Sequence, residues 1–469
     1  MKQSIAAVAG LLLLASACKE PLNAPTEDQL LAGSAQPVQN LVTGVLAQDR
    51  SATSAFSYLL YPEGLARNAL RPDPNEPRYV ADLIAQAMDP SAFIGSSGWN
   101  GYYTTIRAAN QFLASPSTAA VVDAGDRNAM IGLTQTIKAL SYLRLLQLRD
   151  TLGVVIQTDA INTPDPIRTK TSVLAFVSAL LDSAYSNLTA AGVSATMPVT
   201  MPAGYKVNGD FTQTANLAKF NRGLKGEVEV YRALNHQNPC AACAGTAITA
   251  LNLALAGVPQ TAAGLAFGPY FEYNPSAPES FNYPLADPRI YVTDNWVQSA
   301  QSGDARLGKV SASAKGSVQN GGLADSLIYK SSLTLSTNTT RPLPIRRAAL
   351  WYMLRAQAEA AAGQFAQSSA DVSVVHQIEG GFAAPVAFAT QAAAQAAILY
   401  EYRYSFLFEG PYYLVALREY SALTKAYVSQ PGMPKIVTDP THNTDPLQTV
   451  LSMPQNESVA RNGNVTPVP

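Results

Sequence analysis

Few residues in this chain have types and spacings that could do chemistry. Histidines number three, His236, His376 and His442. None stands in a His-x-x-x-His or His-Glu arrangement, the spacing that sets two imidazoles on one helix face around zinc. No Gly-x-Ser-x-Gly turn presents a nucleophilic serine, and no Walker-type phosphate loop occurs. A carboxylate pair of the glycosidase kind meets in space rather than in sequence, so spacing alone does not locate one. The catalytic, metal and cofactor sets are each read as none.

The cysteines are more informative. Cys240-Ala241-Ala242-Cys243 is the sharpest short motif in the body of the chain. Redox work would ask for a helix N-terminus in a thioredoxin-like βαβ setting, and the flanks here read as helical on both sides. A metal would want further Cys or His ligands, and only His236 is near. The expectation is a structural disulfide between Cys240 and Cys243, which an oxidising extracytoplasmic location permits.

Cys18 points to that location. Lys2 supplies a positive charge, Ile5 to Leu14 is apolar, and Ala15, Ser16 and Ala17 lead directly into Cys18. This is a secretory signal, and the cysteine after its small residues marks a lipoprotein. The apolar run is too short for a bilayer, which takes about 20 residues. Cys18 is the expected lipid attachment site. A multiply acylated cysteine anchors stably where one chain does not. No second stretch of 18 or more apolar residues follows, so the expectation is a body held to the membrane by its lipid alone.

Binding chemistry is the remaining possibility. Trp296 lies in an irregular segment beside Asp294 and Asn295 and near Tyr291. Sugar rings present flat C–H faces that stack on aromatic rings, while their hydroxyls ask for Asn, Asp, Gln or Arg. Trp296, Tyr291, Tyr283, Tyr273, Phe281 and Asn295 are therefore the candidate ligand-binding residues. The alternative is that these aromatics anchor a long loop to its scaffold. Trp99 and Trp351 sit among apolar neighbours and read as core. Glu401, Arg403, Glu409 and Arg418 read as a buried or half-buried ion-pair network that fixes helix packing.

The elements that would position these residues are mostly helical. Apolar residues recur at three- and four-residue spacing over 99–115, 125–149, 172–191, 214–235, 245–256, 345–363, 389–409 and 411–424. Short connections between them predict antiparallel helix pairs. Pairs of this length suggest a tetratricopeptide-type stack. From 257 to 342 the helical period disappears, turn residues recur and aromatics cluster, with a short strand expected around Ser326–Ser332. A long helix-free stretch of this kind is usually functional. The fold class is thus mainly α, a tetratricopeptide-type helix-pair scaffold with a long loop-rich excursion and few short strands. The expected organisation is a signal peptide (1–17), a lipidated tether (18–36) and one domain (37–469), its scaffold at about 37–256 and 343–425 and its ligand-binding face at about 257–342. The net charge of −1 has both signs interspersed and forms no basic stripe, which argues against nucleic acid.

Several segments, in order, resemble the SusD/RagB family of outer-membrane lipoproteins. GWNGYYTTIRAANQFL carries Trp99, Tyr103, Ile106, Ala109 and Asn110 in that family's pattern. Residues 132–154 resemble its Ala-Tyr-Leu helix, with Gly153-Val154-Val155 in place of Gly-Val-Pro. LAKFNRGLKGEVEVYRAL (217–234) resembles the segment that precedes its aromatic excursion. Asp287-Pro288-Arg289 and Asp304-Ala305-Arg306 both resemble its Asp-Pro-Arg element. The block from Ile345 resembles the family's next conserved block, with Ala348-Ala349-Leu350 where an acidic residue is frequent and Ser373-Val374-Val375-His376 where Asn-x-Val-Arg is usual. Glu401, Arg403, Phe408, Glu409, Gly410, Leu417 and Arg418 fit the next block, from which Pro411 and Ala416 depart. LSMPQNESVAR (451–461) resembles the closing one.

The resemblance implies a lipid-anchored protein on the outer-membrane surface. Such a protein binds oligosaccharide or peptide, delivers it to a TonB-dependent transporter, and does no chemistry. A tetratricopeptide-type envelope scaffold lipoprotein is the second expectation and an extracytoplasmic hydrolase the third. The aromatic excursion separates the first from the second.

Overall fold

The computed structural model describes residues 36–115, 123–156, 164–192, 195–273, 283–312, 318–320, 324–329, 331–333, 341–434 and 447–469. The expected signal (1–17) with Cys18, the expected tether up to residue 35, and Phe281 lie outside them, while Gln36, the last residue of the expected tether, opens the first helix.

Ten helices form the scaffold: α1 (Gln36–Thr53), α2 (Asn100–Ala114), α3 (Ala124–Arg149), α4 (Lys170–Ala190), α5 (Thr214–Ala233), α6 (Ala241–Leu255), α7 (Ala348–Ala361), α8 (Phe365–Ile378), α9 (Gln391–Ser405) and α10 (Tyr412–Glu419). Each packs against its successor. The odd-numbered helices from α1 to α9 also touch one another in series. That is the stacking of helix hairpins expected from the sequence, with one helix of each pair lining an inner layer.

Local chemistry sets the helix ends. Asp123 accepts a hydrogen bond from Gly125 N at the start of α3 (2.8 Å). Thr169 and Thr390 cap α4 and α9 by accepting from Ser172 N and Ala393 N. Helix α9 stops at Ser405, short of the expected 409, because Phe408 and Gly410 both take positive φ. Helix α10 stops at Glu419, ahead of Ser421 (φ 52°). Helix α8 was not visible as a period. Ser368, Asp371 and Ser373 occupy its packed face beside Val372 and Val375, and the buried Ser368 hydroxyl bonds to Ala356 O (2.7 Å). Polar residues on the inner stripe erase the apolar pattern.

Helix α4 is long and apolar enough to cross a membrane by length and composition. Its Val173, Leu174, Val177, Leu181, Ala184 and Leu188 are buried, and the helix packs on α3 and α5, so it is a scaffold helix.

Small residues permit the closest approaches. A Cβ on Gly223 of α5 would lie 2.3, 2.5 and 2.9 Å from three indole atoms of buried Trp351 on α7. Gly223→Ala gains about 1 kcal/mol of helix propensity. The overlap falls on a fully buried ring that cannot step aside, and overpacking costs typically ~1–3 kcal/mol. A net loss of up to about 2 kcal/mol is expected in urea unfolding.

Cys240 occupies the N-cap position of α6 and is bonded to Cys243, with Cα atoms 5.3 Å apart. The loop it closes spans a separation of three residues. Chain-entropy reasoning gives so short a loop about 2 kcal/mol at most. Reduction should lower the unfolding temperature modestly and leave the far-ultraviolet circular dichroism of the folded chain unchanged.

The excursion between α6 and α7 is bound to the scaffold by short antiparallel pairings. Ala69–Leu70 pairs with Tyr291–Val292, which pairs with Ser331–Leu333, which pairs with Val310–Ala312. Tyr270–Phe271 pairs with Leu343–Pro344. The strand expected near Ser326–Ser332 is two strands, Ala324–Tyr329 and Ser331–Leu333.

Candidate functional site

The excursion's aromatics mostly face inward. Trp296 lies on the short helix Asp294–Gln298, capped by Thr293, and is fully buried. Its indole N–H donates to Arg403 O (3.3 Å), and its ring packs 5.0 Å from Tyr404. Asn295 is 3% exposed; it donates to Pro431 O (2.7 Å) and accepts from Arg403 Nη2 (2.6 Å). Tyr291 is a buried strand residue. Tyr273 is fully buried, its hydroxyl bonded to Ser54 Oγ (2.7 Å), with the Arg50 guanidinium 5.0 Å above its ring. These residues hold the excursion onto α1 and α9. Trp296, Asn295, Tyr291 and Tyr273, expected from the sequence as candidate ligand contacts, are thus buried and present no open face in this structure. A large ring with one polar atom satisfied by a main-chain carbonyl is more stable buried than wet.

Tyr283 differs. Its ring is 5.2 Å from Tyr273, yet it also lines a cavity of about 660 Å³. Three scaffold ends converge there: Arg347 at the N-cap of α7, Glu379 just past α8, and Leu407 to Glu409 between α9 and α10. The excursion lines it through Tyr270, Ala305, Arg306, Gly308, Lys309 and Arg341, and the strand Leu343–Pro344 that follows it completes the lining.

The cavity is polar and charged. The Arg347 guanidinium meets both Glu379 and Glu409, taking Glu409 at 2.7 and 3.0 Å. Burial opposes the charge of Arg347, but the two glutamates outweigh it and hold it well above the usual arginine range. Burial raises Glu379, and Arg347 overcomes that and keeps the carboxyl below its usual value. Lys309 Nζ donates to Tyr404 O (2.8 Å) and Ser405 O (2.6 Å), and burial pushes the amine down to about 8. Arg306 is gripped by Asp304 (2.8 Å) and Glu401, and bonds to Ser405 Oγ (2.8 Å). Glu401 also meets His376 Nδ1 (2.7 Å), whose ring stacks on Phe382.

The four charged residues read from the sequence as one network are indeed buried or half-buried, but each finds partners elsewhere. Glu401 takes Arg306 and His376, and Glu409 takes Arg347. Arg403 bonds to Asn68 and Asn295, and Arg418 to the Gln147 and Thr449 carbonyls. Of Asp-Pro-Arg and Asp-Ala-Arg, the second is the buried latch, while the first reaches the surface.

That surface is a second polar and aromatic cluster. Arg71 bridges Asp73 (2.8 Å) and Asp287 (2.6 Å), and Arg289 spans the same two acids (2.7 and 2.9 Å). Burial pushes Asp287 up, but hydrogen bonds from Arg289 and Arg71 outweigh it and hold the carboxyl down to about 2. The Arg71 guanidinium lies 4.1 Å above Tyr79, and Tyr79 meets Phe93 edge-on at 5.2 Å. Phe93 is 37% exposed. Sequence reasoning passed over Tyr79 and Phe93, because the turn-rich run Arg71 to Tyr79 carries no period. Among the described residues, no group of three or more His, Cys, Asp and Glu is placed to hold a metal.

No family model and no curated protein matches the sequence. Solved structures do. NanU of B. fragilis is 15% identical, and the alignment covers 95% of this chain and 98% of that one at a TM-score of 0.63. A SusD superfamily protein of Parabacteroides distasonis is 14% identical, with 90% and 98% covered and a TM-score of 0.63. A structure solved with a xylogluco-oligosaccharide is 13% identical, with 92% and 99% covered and a TM-score of 0.67. Over nearly its whole length, the chain has the fold of the SusD superfamily proteins.

Proposed function

We propose that this chain is a lipid-anchored outer-membrane protein, exposed at the cell surface. It captures an oligomeric nutrient and delivers it to a TonB-dependent transporter of the SusC/RagA kind. Oligosaccharide is the favoured ligand and peptide the alternative. The chain does no covalent chemistry and needs no cofactor. The observation that carries this reading is the near-full-length likeness to SusD-type structures, one of them solved with a xylogluco-oligosaccharide. The cavity supports it. At about 660 Å³ it falls within the ~300–1,000 Å³ of small-molecule sites. In this reading residues 1–17 are the signal, 18–36 the tether and 37–469 the binding domain, with the ligand held between the excursion (257–342) and the scaffold.

Two measurements test it. Calorimetry of the purified chain against panels of neutral and acidic oligosaccharides and of peptides should give saturable heat with no product. Product formation would favour the hydrolase reading. Silence across the panels would favour the envelope scaffold. Metabolic labelling with radioactive palmitate should mark the chain and lose the label entirely in Cys18→Ser. Retained label in that variant would remove Cys18 as the anchor.

A further inference from the structure

The charges around the 660 Å³ cavity cancel. Its cations are Arg306, Lys309, Arg341 and Arg347. Four carboxylates answer them, Glu379 and Glu409 on the wall and Asp304 and Glu401 behind Arg306. Most of this charge is spent inside the protein. Arg347 engages both oxygens of Glu379 and both of Glu409. Arg306 is gripped by Asp304 and Glu401. Lys309 donates to two main-chain carbonyls and is acted on by Glu409 and Glu379 as well. Arg341 is exposed, but it and Glu409 both act on the Tyr283 phenol. An anion drawn to Arg341 therefore meets a carboxylate too, and a cation drawn to the glutamates meets Arg347. Either ion brings like charges together in a partly desolvated space.

Hydroxyl groups meet a different wall. A hydroxyl both donates and accepts, and it brings no charge. Glu379 and Glu409 keep lone pairs beyond those used by Arg347. The Arg341 guanidinium and the Tyr283 hydroxyl line the cavity, and neither makes a hydrogen bond among the described residues. The wall thus offers acceptors, donors and one group that is both. We propose that the cavity takes a neutral oligosaccharide and discriminates against acidic and basic ones, with Arg341, Tyr283, Glu379 and Glu409 as its hydroxyl partners. This rests on the reading of the chain as a saccharide-binding protein and names the ligand class for that site. The internal ion pairs also hold the two glutamates in place before the ligand arrives, which spares the cost of ordering them on binding.

The test uses the full-length protein in detergent. Its probes are trigalacturonate against its methyl ester and chitosan tetraose against its neutral N-acetylated form, with a xylogluco-oligosaccharide as a third neutral sugar. Where a pair binds, the neutral member should do so at least about ten-fold tighter than the charged one. Neutral affinity should change by less than about two-fold with added salt, since no ligand charge is screened. Arg341→Gln removes a charged donor, so neutral affinity should fall about ten-fold or more. Its unfolding temperature should stay unchanged, because the side chain is exposed. The variant also leaves the wall net negative, so chitosan tetraose should gain on its N-acetylated form. A charged member that binds as tightly as its neutral partner overturns the inference, as does neutral affinity that survives Arg341→Gln. If a charged sugar binds and no neutral one does, this inference falls while the saccharide-binding reading stands. If no sugar binds, both fall.

Discussion

Arg306→Ala is expected to destabilise the chain by about 3–5 kcal/mol at neutral pH, the usual cost of removing one partner from a buried ion pair. Arg306 is 2% exposed at its side chain, and its two acids, Asp304 and Glu401, are at 0% and 1%. Glu401 keeps His376, and Asp304 keeps the Tyr400 hydroxyl (2.7 Å). Neither substitute carries a fixed positive charge as a guanidinium does. Lysine should rescue only in part, since a single ammonium cannot reproduce a fork that meets two carboxylates and Ser405 together.

The deficit should depend on pH with a definite sign. In the native chain, burial raises the Asp304 carboxyl, but hydrogen bonds from Arg306 and Tyr400 and the charge of Arg306 outweigh it, so its pKa is lowered. Asp304 therefore contributes stability above its unfolded value of about 3.9, which is lost as pH falls through its lowered folded value. Without Arg306, burial dominates and the folded pKa rises above the unfolded one. The variant then loses stability as pH rises from about 4 upwards. Urea unfolding of both proteins between pH 4.5 and 8 should show a gap that widens with pH. A gap that is constant, or narrows, would mean that the latch is held by packing and not by charge.

Trp296→Ala is the second large effect, with an expected loss of about 3–5 kcal/mol, as for other buried aromatics cut to alanine. The ring is fully buried between the excursion and α9, and its N–H is used on Arg403 O. Trp296→Phe keeps most of the ring volume and gives up one hydrogen bond, so a smaller loss is expected. The indole does not line the cavity. Below its unfolding transition, the alanine variant should therefore bind ligand with near-native affinity. Lost affinity in a protein of unchanged unfolding temperature would restore Trp296 as a stacking platform and sink the packing role.

The contrast at Trp296 shows how far sequence reasoning reaches. A tryptophan beside Asp294 and Asn295 in a helix-free stretch fits a sugar platform and a loop anchor equally well. What separates the two is whether another element covers the ring, and here the cover is Tyr404, more than a hundred residues away. Tyr283 carried no stronger signal than Tyr273, yet it reaches the cavity wall while Tyr273 turns to Ser54, just past the end of α1. Arg341, Lys309 and Glu379 were not singled out at all. They come from three separate stretches, and no local spacing links them.

By itself the sequence determined the mainly helical scaffold and most helix positions. It also located the break in helical period between α6 and α7. Those are local properties: a three-to-four residue apolar period, and its loss. Each is written within one or two turns of chain. Tertiary structure alone decided which aromatics are buried, that Asp304-Ala305-Arg306 is the latch while Asp287-Pro288-Arg289 meets solvent, and that three helix ends and the excursion enclose a charged cavity. Those outcomes depend on contacts across roughly 60 to 230 residues, such as Arg347 to Glu409 and Arg71 to Asp287. Periodicity tells a residue which side of its own helix it is on, but not which distant residue will meet it there.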